Sequence, residues 1–292
     1  MAFDAHCHTD CSDGNITIED RIRLIRACGF EAATITDHDF VSVEQVERAQ
    51  TAAGELPFVP GIELSLRHDG AVVHLLGYFI DPAHEGLQEH MKRVQDRDRV
   101  ITAELLVAFQ EHGAAFELED LRASSLHTFY SMQLVKRLAH ELYDLDPARL
   151  MPVFLDELEK LGLAYADMAP WSVEEAIALV HAAGGLAVLA HPGGREDAVM
   201  ARLGFLAHEE PHLDLFRSWG LDGIEVLNPV HSAEECEWYE HYACEHNLLK
   251  TSGSDCHGDD PYLGPALMNP SVPLYDGLYA RMCAYLEKRR LR

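Results

Sequence analysis

The sequence predicts an α/β protein on a mainly parallel sheet, open or closed into a barrel. Short apolar, β-branched runs alternate with amphipathic helical stretches at both ends of the chain. About seven strand runs can be counted, and metal-ligand residue types stand where most of them end. In order, a strand over 3–8 leads to a helix over 18–28. Thr17 with Asp20 three residues on marks the start of that helix, and Gly29 marks its stop. A strand over 32–36 and a helix over 43–53 ending before Gly54 come next. Two extended runs, 58–66 and 71–80, flank the polar turn Arg67-His68-Asp69-Gly70 and predict a hairpin. Between about 85 and 170 the rhythm changes to long charged helices over 85–112, 132–143 and 153–161, with no convincing strand. That stretch reads as a helical insertion, so the barrel is assigned to 1–100 and 171–292 and the insertion, over 101–170, is expected to cover the substrate site. After Pro170 the alternation resumes: helix 173–183, strand 186–190, helix near 197–218, strand 223–227, helix 233–246, strand 248–252 and a terminal helix near 275–289.

The chain has 292 residues, 48% hydrophobic and 25% charged, enough for a large folded core. Acidic residues outnumber basic ones by 49 to 23, for a net charge of -26, which argues against long nucleic acid or an anionic membrane as partner. An anionic substrate must therefore meet local positive charge, and bound cations could supply it. No apolar run reaches the roughly 18–20 residues of a membrane span, and no basic-then-apolar leader pattern opens the sequence, so a cytoplasmic protein is expected. The 7 Cys are read as reduced, mostly packed thiols, since the Cys7 and Cys11 spacing lacks a second pair.

The strand ends carry the chemistry. The first ends in Asp4-x-His6-x-His8, the second in Thr36-Asp37-His38-Asp39, the third in Gly61-Ile62-Glu63, and the fourth contains His74. Later strands end in Ala190-His191-Pro192-Gly193, Gly223-Ile224-Glu225 and Ser254-Asp255-Cys256-His257. A two-residue spacing puts both imidazoles of His6 and His8 on one side of a strand, and Asp255 with His257 repeats the pattern. A lone histidine there is more often a hydrogen-bonded structural residue, but recurrence over six strands points to a shared metal site. Imidazole and carboxylate without a thiolate set suit Zn, Mn or Fe rather than Ca or an iron–sulfur cluster.

These motifs, together with Ser12-Asp13-Gly14, resemble the PHP (polymerase and histidinol phosphatase) family of metal-dependent phosphoesterases, in order along the whole chain. The resemblance implies a distorted (β/α)7 barrel with a trinuclear centre, three divalent metals per chain. It implies that His6, His8, Glu63 and Asp255 hold the first metal and that Glu63 bridges to a second on His74 and His191. Asp13, His38 and His257 would hold the third. Asp4 and Asp37 would orient ligating imidazoles. Asp255 and His231 would be catalytic, with His231 facing the substrate phosphate or leaving group.

The insertion resembles the branch with nucleoside 3',5'-bisphosphate phosphatases, a 5'-to-3' oligoribonuclease and a phosphoribosyl cyclic phosphate diesterase. His127 stands where the nucleotide-hydrolysing relatives have Arg in an Arg-x-His motif, which removes a bidentate phosphate fork. Arg195 falls one residue later than the Arg that follows His-Pro-Gly in those relatives. His127, Arg195 and His231 are the expected substrate contacts. The resemblance thus implies hydrolysis of a small phosphorylated sugar or nucleotide, leaning to 5-phosphoribosyl 1,2-cyclic phosphate. A 3'-phosphatase of nucleoside bisphosphates or a short-RNA exonuclease is the alternative. Outside phosphoester hydrolysis stand a structural PHP module and a C–N amidohydrolase.

Overall fold

The structure is a computed structural model and describes residues 1–122, 126, 130–143, 147–193, 210–258 and 273–291. Within these residues, six strands form one sheet in sequence order: β1 (Ala33–Ile35), β2 (Phe58–His68), β3 (Ala71–Tyr78), β4 (Leu186–Leu189), β5 (Gly223–Leu227) and β6 (Leu249–Ser252). Pairing is parallel between β1 and β2, β4 and β5, and β5 and β6. β3 runs antiparallel to both neighbours, as the expected hairpin requires of its pairing with β2. The cause is local: Asp69 and Gly70 take φ of 50° and 82°, the left-handed pair of a tight hairpin turn, and such a turn can only reverse the chain.

Residues 3–8, expected as the first strand, and Ala2 before them form isolated bridges rather than a continuous ladder, yet they occupy the seventh position. On one side the Ala5 and His8 amides donate to the Ser252 and Cys256 carbonyls, both at 3.0 Å, and the Asp255 amide donates to His6 O at 2.9 Å. On the other side the Thr36 amide donates to Cys7 O at 2.9 Å. This segment therefore joins β6 to β1 and closes the distorted barrel.

Alternation along the strands sorts the two faces. Ile62, Leu64, Val73, Leu75, Leu189 and Ile224 pack outward with the helix residues Ile177, Val180 and Phe216, while Glu63, His74 and Glu225 lie on the opposite face. The surrounding helices follow their start signals. α1 (Ile18–Ala27) is capped by Thr17, which accepts from the Asp20 amide, and α2 (Val43–Ala53) by Ser42.

The middle of the chain forms α3 (Glu85–Glu111), α4 (Tyr130–Leu138), widened into the turn Ala139–Tyr143, and α5 (Pro147–Lys160). They share an apolar core of their own that includes Leu105, Phe109, Leu134, Leu138 and Phe154. Asp98 of α3 accepts from the Tyr130 and Ser131 amides at 2.6 and 3.2 Å and so caps α4 from a distance. α5 starts earlier than residue 153 and carries Pro152 inside it, where buried Leu150 and Phe154 hold the turn against the proline's preference. α6 (Val173–Ala182) and α8 (Ala233–Glu245) begin at Ser-x-x-Glu capping boxes on Ser172 and Ser232. α7 (Glu210–Ser218) and α9 (Leu278–Arg290) complete the described helices. No described helix is long and apolar enough to cross a membrane.

Candidate metal centre

The strand ends place imidazoles and carboxylates around common points. His6 Nε2 and His8 Nε2 face each other at 3.2 Å; Glu63 Oε2 lies 3.0 and 3.2 Å from them, and Asp255 Oδ1 3.3 and 3.0 Å. With metal–ligand bonds of ~2.0–2.2 Å, neighbouring ligands of a tetrahedral ion stand roughly 3.4 Å apart. The set fits one cation, and two imidazole lone pairs turned on each other need a proton or a cation between them.

The other oxygen of Glu63 serves a second point. Glu63 Oε1 is 3.0 Å from His74 Nδ1 and 2.9 Å from His191 Nε2, and those two nitrogens are 3.3 Å apart. A third, looser group contains Asp13, His38 and His257, with Asp13 Oδ2 at 3.2 Å from His257 Nε2 and 3.9 Å from His38 Nε2. His38 Nε2 also lies 3.4 Å from Glu63 Oε2, so its ring stands between groups. The His8 ring stacks on His257 at 4.2 Å and on His38 at 4.7 Å between centroids, which packs the clusters into one body.

The backbone is bent to make this possible. His191 and Asp255 take φ of 23° and 51°, and Asp39, next to His38, takes 46°, so the chain leaves β geometry at or beside a ligand position. Gly253 has no room for a side chain: a Cβ there would stand 2.2 Å from His6 Cβ and 2.6 Å from Glu225 Oε1. Strand alternation turns Cys7 and Cys256 away from the ligands that flank them. The Cys7 thiol donates to Thr34 O, and Arg21 reaches Cys256 Sγ at 3.3 Å.

Asp4 and Asp37, expected to orient imidazoles, instead hold backbone and loops. Asp4 Oδ1 accepts from the Ser254 and His6 amides at 2.9 and 3.3 Å. Asp37 accepts from Thr9 N, Thr9 Oγ1, Ser12 Oγ and Gln45 Nε2. Each sits at the base of a ligand turn, where amides and hydroxyls are nearer than any ring.

Imidazole orientation falls to Glu225, a strand-end acid that the sequence singled out without assigning it a role. Its Oε1 takes the His6 Nδ1 proton at 3.1 Å, fixing the tautomer that turns Nε2 to the cluster, while Oε2 accepts from the His191 amide at 2.8 Å and Asn228 Nδ2 at 3.0 Å. Arg21 is missed altogether. Its buried guanidinium donates to His8 O at 3.1 Å and Cys256 O at 2.7 Å, tying together the backbone on both sides of the seam. The signal for Arg21 was a charge on the buried face of an amphipathic helix; for Glu225 it was an acid at a strand end.

Burial disfavours the charged forms throughout, and at every group of the cluster with a resolved shift except His74 the mutual attraction outweighs it. Asp255, Glu63 and Glu225 push the His6 pKa well above its ordinary value. His8 rises to about 10, against desolvation, through Asp255, Glu63 and Asp13. Burial would raise the carboxylates Asp13, Glu63 and Asp255, but the surrounding histidines hold all three well below the usual range. His74 falls to about 4 because burial exceeds the pull of Glu63.

Of the remaining expected site residues, His127 and Arg195 lie outside the described residues. His231 lies beside the centre, with Nδ1 donating to Val226 O at 2.8 Å and Nε2 accepting from the Gly193 amide at 3.0 Å. In this geometry the ring fastens the loop after His191, and burial lowers its pKa. Lys136 of α4 is buried and donates to the Asp13 carbonyl, an insertion contact at the third group.

A barrel that gathers imidazole and carboxylate ligands at its strand ends defines a metal-dependent hydrolase class. The PHP domain family model matches residues 4–145. Over those residues the chain is similar to the PHP domain family, and the curated relatives it matches are named as phosphate-ester hydrolases. It is 29% identical over 261 residues to the 3',5'-nucleoside bisphosphate phosphatase of Chromobacterium violaceum, spanning 87% of each chain. To the 5'-3' exoribonuclease Rnm of Salmonella typhimurium it is 29% identical, over 90% of this chain and 87% of the relative. To the phosphoribosyl 1,2-cyclic phosphate 1,2-diphosphodiesterase of Eggerthella lenta it is 28% identical, over 88% and 95%. A solved structure from Bifidobacterium adolescentis, assigned as a metal-dependent phosphoesterase, superposes with TM-score 0.79 at 24% identity over 97% of this chain and 95% of its own, which bears on the fold.

Proposed function

We propose that the protein hydrolyses phosphate esters of a small phosphorylated ribose, with a cyclic phosphate diester such as 5-phosphoribosyl 1,2-cyclic phosphate as the leading substrate. The observation that carries the hydrolytic reading is the Glu63 carboxylate, whose two oxygens face separate histidine groups at 2.9 to 3.2 Å. That is the arrangement of a carboxylate shared by two cations. In this reading His6, His8, Glu63 and Asp255 hold one ion, Glu63, His74 and His191 a second, and Asp13, His38 and His257 a third. Bound divalent ions would lower the pKa of an attacking water and offset the negative charge of the phosphate.

The chain's own groups do the rest. Glu225 holds His6 in the ligating tautomer. Asp255, one of the four members of the first group and the one whose side chain is partly exposed, is the assigned catalytic carboxylate. For His231 to contact phosphate or leaving group, its Nε2 would exchange the Gly193 amide for substrate. The insertion, residues 101–170, covers the site in this reading: Lys136 reaches Asp13, and Tyr165 and Met168 line a small cavity with Asp39 and His74. Zn, Mn and Fe all suit the donor set.

The preference for a cyclic diester rests on His127 at the position where the nucleotide-hydrolysing relatives carry Arg. Similarity to the nucleoside bisphosphate phosphatase supports the second reading, removal of a 3'-phosphate, and the net charge of -26 disfavours long RNA. A convergent ligand set weighs against a purely structural module. The test is phosphorus NMR of chelator-quenched reactions containing Mn-loaded protein, 5-phosphoribosyl 1,2-cyclic phosphate and adenosine 3',5'-bisphosphate. Loss of the cyclic signal is the expected result. Loss of only the bisphosphate moves the protein to the second reading, and two unchanged signals with metal bound overturn both.

A further inference from the structure

A second group of ligand-type side chains lies at the tip of the β2–β3 hairpin. His68 is the last residue of β2, five positions beyond Glu63 and hence roughly 16 Å along the strand from it. Asp69 follows in the turn, and His212 lies in the first turn of α7. One ligand atom from each of the three lies within 4.8 Å of the others. The His68 ring is walled by aromatic groups, Phe216 at 5.1 Å, Trp219 at 5.7 Å and the His212 ring at 5.7 Å between centroids.

We propose that His68, Asp69 and His212 form a separate binding site for one divalent transition-metal ion of the zinc, cobalt, nickel or copper class. His68 Nε2 is buried and makes no hydrogen bond within the protein, an expensive state for an imidazole nitrogen unless a ligand takes the place of the lost partner. Asp69 Oδ2 stands 3.5 Å from that nitrogen, which is long for a hydrogen bond but matches the spacing of neighbouring ligands on a tetrahedral ion. Two imidazoles with one carboxylate select borderline transition metals over Ca or Mg, which take oxygen-rich shells. Asp69 is largely exposed, so a fourth position opens to solvent on its side, while the aromatic wall keeps water from the other. An ion held there would fasten the hairpin tip to α7. The site shares no residue with the centre above and does not depend on what that centre hydrolyses.

The test uses full-length chelator-stripped protein, titrated with Zn by equilibrium dialysis and with Cu(II) by tryptophan fluorescence. His68→Gln risks misfolding because its ring is packed, so the decisive variants are His212→Gln and Asp69→Asn, which change ligands near the surface. Each variant is expected to bind one Zn fewer per chain than the wild type. Each should also lose the Cu(II) quenching component that Trp219→Phe identifies as that of Trp219. Equal Zn stoichiometry, or Trp219 quenching that survives in both variants, would overturn the proposal whatever the protein's activity proves to be.

Discussion

Replacing Glu225 by Gln tests whether a single buried carboxylate sets the centre. In the wild type, both oxygens accept: from His6 Nδ1 at 3.1 Å, the His191 amide at 2.8 Å and Asn228 Nδ2 at 3.0 Å. A glutamine offers one acceptor and one donor in the same volume. If its oxygen turns to His6, its amino group meets the N–H groups of His191 and Asn228, donor against donor. If it flips, the amino group donates to His6 Nδ1, forcing the proton onto Nε2, and that nitrogen can no longer ligate. Either way one ligand of the first group or the backbone of one ligand of the second is misplaced. Loss of a ligand-orienting partner costs ~10–100-fold in metal affinity or activity, or about 1.4–2.7 kcal/mol. Chelator competition on the variant should show that drop for the tightest ion, and kcat/KM at limiting metal should fall with it. An unchanged metal affinity in a folded Glu225→Gln protein would refute the orienting role.

Four further outcomes follow from the same geometry. Gly253→Ala, which brings a methyl to 2.2 Å from His6 Cβ, should weaken metal binding as much as loss of His6 itself, read by the same competition. Arg21→Ala leaves the carbonyls of His8 and Cys256 without their charged donor, at about 1.5–3 kcal/mol for each bond lost, and urea unfolding should show a loss near the sum. Asp98 is pushed up to about 6 by burial, so the folded chain binds its proton more tightly than the unfolded one. Its stabilising effect should therefore grow as pH falls from about 6 towards 3.8, seen as a wider stability margin over Asp98→Asn at the acid end of that window. Metal loading should release protons from His6 and His8 and tighten with rising pH until His8 titrates near pH 10, measured by calorimetry in buffers of different ionisation enthalpy.

How much of this was readable depended on distance along the chain. The i, i+2 pairs His6 with His8 and Asp255 with His257 announce themselves because strand geometry alone puts both members on one face, and the same geometry excludes the cysteines between them. The hairpin was legible from four turn residues. The capping boxes at Ser172 and Ser232 needed only three residues of reach. The roles of Glu225 and Arg21 escaped because their partners lie 219 and 235 residues away, His6 for one and Cys256 for the other, and nothing in a local pattern separates them from an ordinary strand-end acid or helix arginine. The segment expected as the first strand lies between β6 and β1 but bonds to them through single contacts and isolated bridges rather than a continuous ladder.

The same long-range contacts explain how a chain of net charge -26 can offer a phosphate an attractive site. The three ligand carboxylates Asp13, Glu63 and Asp255 stay ionised because histidines surround them, so the centre holds concentrated negative charge that selects multivalent cations. Once those cations replace the protons on His6 and His8, the local sign reverses while the rest of the surface stays acidic. A small phosphate ester that fits between the barrel mouth and the insertion gains from that reversal, and a polyanion, which must also lie along the acidic exterior, does not. On the proposed function, substrate size follows from the contrast between one positive point and its negative surroundings. That contrast predicts that raising ionic strength should narrow the difference in kcat/KM between a mononucleotide-sized ester and a longer oligonucleotide, because screening weakens the exterior repulsion more than the buried attraction.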